Sequence, residues 1–293
     1  ITRFRPSSVS RTLSPNPRKF QFRVAKKWGA GHKVKLPPYL FSPRKGAKTR
    51  QNALQHLDQH HYLTIDLKQF YPSTSFLMVR RWLIADLGMY EDVADLLTHL
   101  VTIDNVVSFG SPVTPVLVAL VHRRLFDNIA ALCATYQLNY TVWVDDLTIS
   151  GPSIPGDLVV QIRELIAQAG LQSHKVRFQT GNRAVFITGV GVVGARLVVP
   201  NKYNLKLKGL WEAYYQAITP EEKLSCVDPL LSIMGTIRYI TGRRSRIGQK
   251  MSNQMNSLRQ ERDKIYNRII IDAKSEDIQQ FEECIFAEAI PWD

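Results

Sequence analysis

The chain is 293 residues long, with 45% hydrophobic residues, 22% charged residues and a formal net charge of +13. Such a balance excludes a disordered or fibrous protein and predicts one large globular domain or two or three subdomains. With no apolar run near the roughly 18 residues that span a bilayer, and no apolar stretch behind the basic N-terminus, a soluble cytoplasmic protein is expected.

The charge is uneven. Residues 1–50 hold 14 Lys or Arg and no acid, and Asp58 is the first carboxylate in the chain. A basic stretch of this kind attracts polyanions, nucleic acid above all, although residues 1–20 alone also read as a solvated tail. Cys133, Cys226 and Cys284 have no metal-type spacing and are expected to be reduced packing residues.

In chain order, residues 1–20 are rich in Ser, Pro and Arg and read as an irregular arm. Phe20–Val24 and His32–Leu36 alternate apolar and polar residues around a glycine-containing basic tip, which predicts a β-hairpin. Its tip suits either a triphosphate or plain solvent. A polar helix is expected within 46–61, and Tyr62–Leu67 reads as a short strand with Asp66 near its end. Two core helices follow, one presenting Phe76, Val79, Trp82 and Leu83, the next Val93, Leu96, Leu97, Leu100 and Val101. Gly110–Pro115 is a turn that opens an apolar helix over about 114–133, and its glycine lets backbone approach a ligand.

Tyr140–Gly151 predicts strand, tight turn and strand, with Asp145 and Asp146 at the tip. An amphipathic helix bearing Leu158, Ile162, Leu165 and Ile166 ends at Gly170, and strands are expected over 175–178 and 185–199. From about Lys206 the chain is mostly helical. Residues 243–268 contain 8 Lys or Arg and 2 acids, whereas the last 22 residues contain 7 acids and 1 Lys. The basic part reads as a nucleic-acid-facing helix or an ordinary charged face, the acidic part as a solvated tail or a partner surface.

Asp66 stands 79 residues before Asp145. If their strands are neighbours, the carboxylates converge and can hold two divalent cations about 4 Å apart, as in-line nucleotidyl transfer requires. By spacing alone, however, an Asp-Asp turn is usually just a solvated turn.

Several segments in one order resemble reverse transcriptases, more closely those of bacterial retrons. Thr64–Ser73 is similar to the first palm motif, Gly110–Pro115 to the motif that positions template and nucleotide, and Trp143-Val144-Asp145-Asp146 to the catalytic tetrapeptide. Leu171–Lys175 resembles the end of the following motif and Ile187-Thr188-Gly189 the start of the strand region before the thumb. Asn52-Ala53-Leu54-Gln55-His56 fits the retron Asn-Ala-x-x-His signature, and Ile187-Thr188-Gly189 fits the Val-Thr-Gly triad with one conservative change.

The resemblance implies an α+β right-hand polymerase of fingers, palm (an antiparallel sheet backed by helices) and helical thumb. Its expected divisions are an arm at 1–20, shortened fingers at 21–61, a palm with fingers-palm helices at 62–205, and a thumb with acidic tail at 206–293. It implies that Asp66, Asp145, Asp146 and the Leu67 carbonyl hold two Mg2+ ions, or Mn2+, and that Lys175 acts as an acid near the leaving pyrophosphate, although a surface lysine fits as well. Phe70, Tyr71, Gly110, Ser111 and Pro112, with His32, Lys33 and Lys35 in the fingers, are the implied nucleotide contacts, Tyr71 excluding a ribose 2′-hydroxyl. Asn52, His56, Arg243, Arg244, Arg246 and Lys250 are the expected RNA contacts. Implied partners are dNTPs, a structured non-coding RNA serving as template and primer, its linked single-stranded DNA product and an effector protein, in bacterial anti-phage defence with no membrane. An abortive-infection-type enzyme that primes from protein or needs no template, and a non-catalytic RNA-binding scaffold, are the alternatives.

The chain departs from its relatives at Trp143, where tyrosine is usual, at Val144, where alanine is, at Phe109 and at His32. Pro38 also runs almost directly into the region ending at Asn52, so the fingers are expected to be shortened or partly absent.

Overall fold

The computed structural model describes residues 36–287, with side chains described to residue 271. The expected arm, the basic hairpin with His32, Lys33 and Lys35, and the acidic side chains of the C-terminus with Cys284 lie outside the described residues. The described residues divide into two compact units between residues 196 and 197.

In the first unit, β1 (Leu40–Ser42), α1 (Thr49–Leu54), β2 (His61–Leu67), α2 (Phe70–Ser73), α3 (Phe76–Ala85) and α4 (Glu91–Val101) lead to a small ribbon of β3 (Thr102–Ile103) and β4 (Val106–Val107). Next come α5 (Thr114–Val121), α6 (Arg123–Thr135), β5 (Asn139–Trp143), β6 (Asp146–Gly151), α7 (Gly156–Gln168), β7 (Ser173–Thr180), β8 (Val185–Ile187) and β9 (Val190–Val193). The unit boundary falls within β10 (Arg196–Val198).

The main sheet has the order β1-β5-β6-β2-β7. Its pairings are antiparallel except β1 with β5. Period-two alternation gives the sheet two unlike faces. Leu63, Ile65, Leu67, Tyr140, Val142, Leu147 and Ile149 pack on one side against α3 (Val79, Leu83), α5 (Leu117, Val118), α6 (Phe126, Ile129) and α7 (Leu158, Ile162). Each fully buried Leu or Ile stabilises this core by about 1.5–3 kcal/mol. The opposite face carries Tyr62, Thr64, Asp66, Thr141, Asp146, Thr148 and Ser150. A sheet of this kind, apolar toward helices and polar toward a cavity, is what an α+β chain with half-alternating strands builds.

Two expected elements come out differently. The helix over 114–133 is two helices, because His122 (φ −94°, ψ 14°) leaves the helical conformation. Its buried ring bonds Thr74 Oγ1 at 2.9 Å and lies 5.3 Å from the Phe70 ring. In α4 the buried residues are Ala94 and Thr98, with Leu97 and Val101 partly buried, whereas Val93, Leu96 and Leu100 face solvent. Thr98 turns inward because its hydroxyl is satisfied within the helix, donating to the Ala94 carbonyl at 2.7 Å.

The second unit contains α8 (Asn201–Gln216), α9 (Pro220–Thr241) and α10 (Arg246–Ala287). Tyr214, Val227, Leu230, Ile233, Met234, Ile237, Met251, Met255 and Leu258 form its core. Thr219 and Glu222 form a capping box at the start of α9, where the Glu222 carboxylate also accepts from the Ile218 and Thr219 N–H groups. At the α9–α10 turn, Gly242 takes φ 91°, and a Cβ on Gly248 would lie 2.0 Å from the Gly242 carbonyl oxygen. Glycine is therefore required at position 248. Among the described residues, no helix is long and apolar enough to cross a membrane.

Candidate active site

The hairpin of β5 and β6 closes with a two-residue turn, because Trp143 pairs with Asp146 across it. Val144 and Asp145 make the bend, and Val144 adopts φ 59°, a left-handed conformation that is costly for a β-branched residue. The bend leaves Asp145 at the tip and Asp146 as the first residue of β6.

β2 lies beside β6 with Asp66 opposite Asp146. The Leu67 N–H donates to the Asp145 carbonyl at 3.0 Å, which fixes the tip against the end of β2. As a result, one carboxylate oxygen from each of Asp66, Asp145 and Asp146 can be chosen so that all three lie within 4.8 Å of one another. The convergence that the motif resemblance implies is present in the structure.

The third wall comes from β7. Its ladder with β2 slips by one residue, pairing Thr64 with Arg177 but Asp66 with His174, so Lys175 and Val176 together stand opposite Ile65. Lys175 takes φ 45°, and this bulge turns its side chain toward the carboxylates, Nζ lying 3.7 Å from Asp66 Oδ2. The resulting cavity of about 440 Å3 is lined by Asp66, Asp145, Asp146, Lys175, Arg177, Phe186 and Thr188, among others. Arg177, Phe186 and Thr188 were not singled out as contacts from the sequence. The first could have been found from period-two alternation, since it lies two residues beyond Lys175.

Electrostatically the site is short of cations. Partial burial raises the Asp145 carboxyl above its ordinary value, and the Asp66 charge adds to this against a hydrogen bond from its own backbone. Asp146 is pushed up to about 6, first by desolvation, then by the charges of Asp145 and Asp66, with Lys175 opposing. Three close oxygen donors, two of them resisting ionisation, fit a hard divalent cation, which would relieve the repulsion.

Tyr71 stands beside this centre, its phenol pKa raised by burial and then by the Asp145 charge. It packs edge-on against the exposed Phe109 ring at 5.3 Å. Gly110 (φ 88°) opens the following turn, in which the Val113 N–H donates to Ser111 Oγ at 3.3 Å. Pro112 is the exposed middle of that turn. In the second unit, Arg243, Arg244, Arg246 and Lys250 are all exposed at the α9–α10 turn and the start of α10.

Three expected contacts are corrected. Phe70 is buried between Tyr71, His122 and Phe126 and offers no ring to a nucleotide. Asn52 and His56, expected at RNA, are 1% and 0% exposed. The His56 ring bonds Ser150 Oγ and Thr141 Oγ1, both at 2.7 Å, and Asn52 Nδ2 donates to Thr188 Oγ1 at 3.5 Å. Their hydrogen-bonding groups face the protein interior.

No family model matches the chain. By sequence it is 32% identical over 176 residues to the retron Mx65 reverse transcriptase of Myxococcus xanthus, a match covering 52% of this chain and 40% of that protein. It is 28% identical over 134 residues to the retron Ec86 reverse transcriptase of Escherichia coli, covering 46% and 41%. These curated relatives are thus retron reverse transcriptases, and the chain spans less than half the length of either. Among solved structures, apo telomerase from Candida tropicalis, truncated from its C-terminal domain, matches with TM-score 0.41 and 11% identity over 62% of this chain and 44% of that one. A foamy viral protease-reverse transcriptase in complex with an RNA/DNA hybrid matches with TM-score 0.45 and 14% identity over 74% and 26%.

Proposed function

We propose that this chain carries the catalytic centre of an RNA-directed DNA polymerase of the retron type. The observation that supports it most is the meeting of Asp66, Asp145 and Asp146 at one end of the polar face of an antiparallel sheet, with Lys175 at 3.7 Å. Similarity to two retron reverse transcriptases supports the same reading.

In this reading the three carboxylates, with the Leu67 carbonyl, hold two Mg2+ ions, for which Mn2+ can substitute. Bound there, the ions supply charge neutralisation at the attacking hydroxyl and the phosphate under attack. The protein's own contribution is positional. The two-residue turn holds Asp145 forward, β2 holds Asp66 opposite Asp146, and the bulge presents an ammonium that can give a proton to the departing pyrophosphate. Tyr71 and Phe109 form an aromatic wall whose phenol ring excludes a 2′-hydroxyl, making dNTPs the substrates. Gly110, Ser111 and Pro112 bring backbone close to the incoming nucleotide.

Arg243, Arg244, Arg246 and Lys250 contact RNA phosphates. That RNA is a cognate structured non-coding molecule serving as template and primer, and the product is single-stranded DNA linked to it. The physiological setting is cytoplasmic bacterial defence against phage, with a separate effector protein.

The test is extension of the co-purifying RNA by dNTPs and a divalent metal, followed by sequencing of the product. A branched RNA–DNA molecule, lost in the Asp145→Ala/Asp146→Ala double variant, is the expected result. DNA attached to protein would point instead to protein priming, and bound RNA without any DNA to a scaffold. Unchanged synthesis in the double variant would refute the site.

A further inference from the structure

We propose that Asn52 and His56 form a positioning clamp, which holds the carboxylate hairpin and the turn facing it in one geometry. The proposal rests on the polymerase reading above and assigns to α1 and its C-terminal end a task within that site.

Asn52 and His56 are four residues apart and so lie on one face of a helical turn. From that face, His56 reaches the hairpin and Asn52 the opposite turn. The imidazole bridges Thr141 on β5 and Ser150 on β6, both at 2.7 Å, with all three side chains buried. Ser150 lies four residues along β6 from Asp146, roughly 13 Å at strand spacing. The ring therefore ties the two strands together at the end of the hairpin remote from the turn. The Tyr62 hydroxyl, buried on β2, donates to the His56 carbonyl at 3.0 Å and brings the strand bearing Asp66 into the same network.

Asn52 holds the other wall. Its amide donates to Thr188, which lines the carboxylate cavity and has φ 47°, a conformation that a β-branched residue keeps only when its surroundings hold it there. Directional hydrogen bonds specify register in a way that apolar packing does not. A displacement of about 1 Å at a reacting centre can cost about 100-fold in rate.

The clamp is tested by measuring single-nucleotide extension on an annealed RNA template and DNA primer, RNA affinity by fluorescence anisotropy, and Mn2+ affinity by calorimetry. In His56→Gln, kcat is expected to fall about 10- to 100-fold, with KM for dNTP and the RNA Kd changed by no more than about threefold. Mn2+ affinity should fall about tenfold, as it does when the support of a ligand is removed. Thr188→Ser, which keeps the hydroxyl, should retain more of the rate than Thr188→Val, which removes the acceptor of the Asn52 amide.

Should His56→Gln fail to fold, the triple variant His56→Leu/Thr141→Val/Ser150→Ala removes donors and acceptors together and leaves no orphan. A low kcat in that variant supports the clamp, and a wild-type kcat overturns it. An RNA Kd about tenfold weaker with unchanged kcat in His56→Gln would also overturn it, because that pattern belongs to an RNA contact. If the wild-type protein extends no primer, the polymerase reading fails by itself. The clamp then stands or falls on Mn2+ affinity, which an intact clamp requires to drop in His56→Gln.

Discussion

Replacing Asp146 by Asn should stabilise the metal-free protein at neutral pH. Asp146 is pushed from an ordinary 3.8 up to about 6 by desolvation and by two neighbouring carboxylates. At 1.36 kcal/mol per unit, such a shift sets a ceiling of about 3 kcal/mol on the penalty against the charged form. Asp146 is the most exposed of the three acids, so solvent screening reduces the expected gain to about 1 kcal/mol. The folded state here favours the protonated carboxyl. The penalty is therefore absent below about pH 3.8, grows as pH rises toward 6 and is complete above it. Thermal unfolding in chelator should show Asp146→Asn melting about 2–4 °C above wild type at pH 7.5, with the gap shrinking at pH 4.5. Adding Mg2+ should reverse the order, since only wild type retains all three carboxylates that a bound ion would draw together. A variant no more stable than wild type at pH 7.5, or equally stabilised at both pH values, would refute the argument that these carboxylates repel one another in the absence of a cation.

Val144→Gly should stabilise the hairpin by about 1 kcal/mol, because glycine adopts φ 59° without a Cβ penalty; a denaturant midpoint that falls would mean the Val144 side chain contributes more than its strain costs. Burial lowers the pKa of His56 to about 3 and of His122 to about 4, from 6.5. Both are held neutral in the fold, so stability is complete above pH 6.5 and falls with acid by up to about 1.4 kcal/mol per unit for each. Urea unfolding between pH 7 and pH 4.5 checks this, and His122→Asn should flatten the slope. Gly248→Ala should destabilise the second unit by about 2 kcal/mol or more, because its Cβ would meet the Gly242 carbonyl oxygen at 2.0 Å; circular dichroism melting that matches wild type would show that the turn yields.

The strands that carry the three aspartates were legible because alternation is local, whereas their meeting was implied by the resemblance to reverse transcriptases. Asp66 lies next to the end of β2 and Asp145 in the bend between β5 and β6, so the antiparallel pairing of β2 with β6 brings them together. Gly170 as the stop after α7 was equally plain, since its φ of 75° suits glycine. What sequence could not show was which of two overlapping stripes a helix buries. In α4, Val93, Leu96 and Leu100 form a more apolar face than Ala94 and Thr98, yet Ala94 and Thr98 are small enough to approach the core closely. Neither the break at His122 nor the burial of Asn52 and His56 has a local signature, because each depends on a partner far along the chain: Thr74, Thr188, Thr141 and Ser150. Short polar signatures look like surface contacts until their partners are known.

The slipped register of β7 has a consequence for changes in length. Beyond the slip, Arg177 and Gln179 oppose Thr64 and Tyr62, and before it His174 opposes Asp66. Deleting Val176 would let the ladder run straight. The single residue then left opposite Ile65 would be Lys175, sharing the side of the sheet on which Ile65 is buried. A single-codon deletion would thus turn the ammonium away from the carboxylates, to a side of this edge strand where Val176 and Phe178 are themselves exposed. It should cost as much activity as substituting Lys175 while leaving every residue of the site in the chain. Strand β7 is in this sense a counted spacer, whose odd residue decides whether the lysine faces the carboxylates or the other side of the sheet.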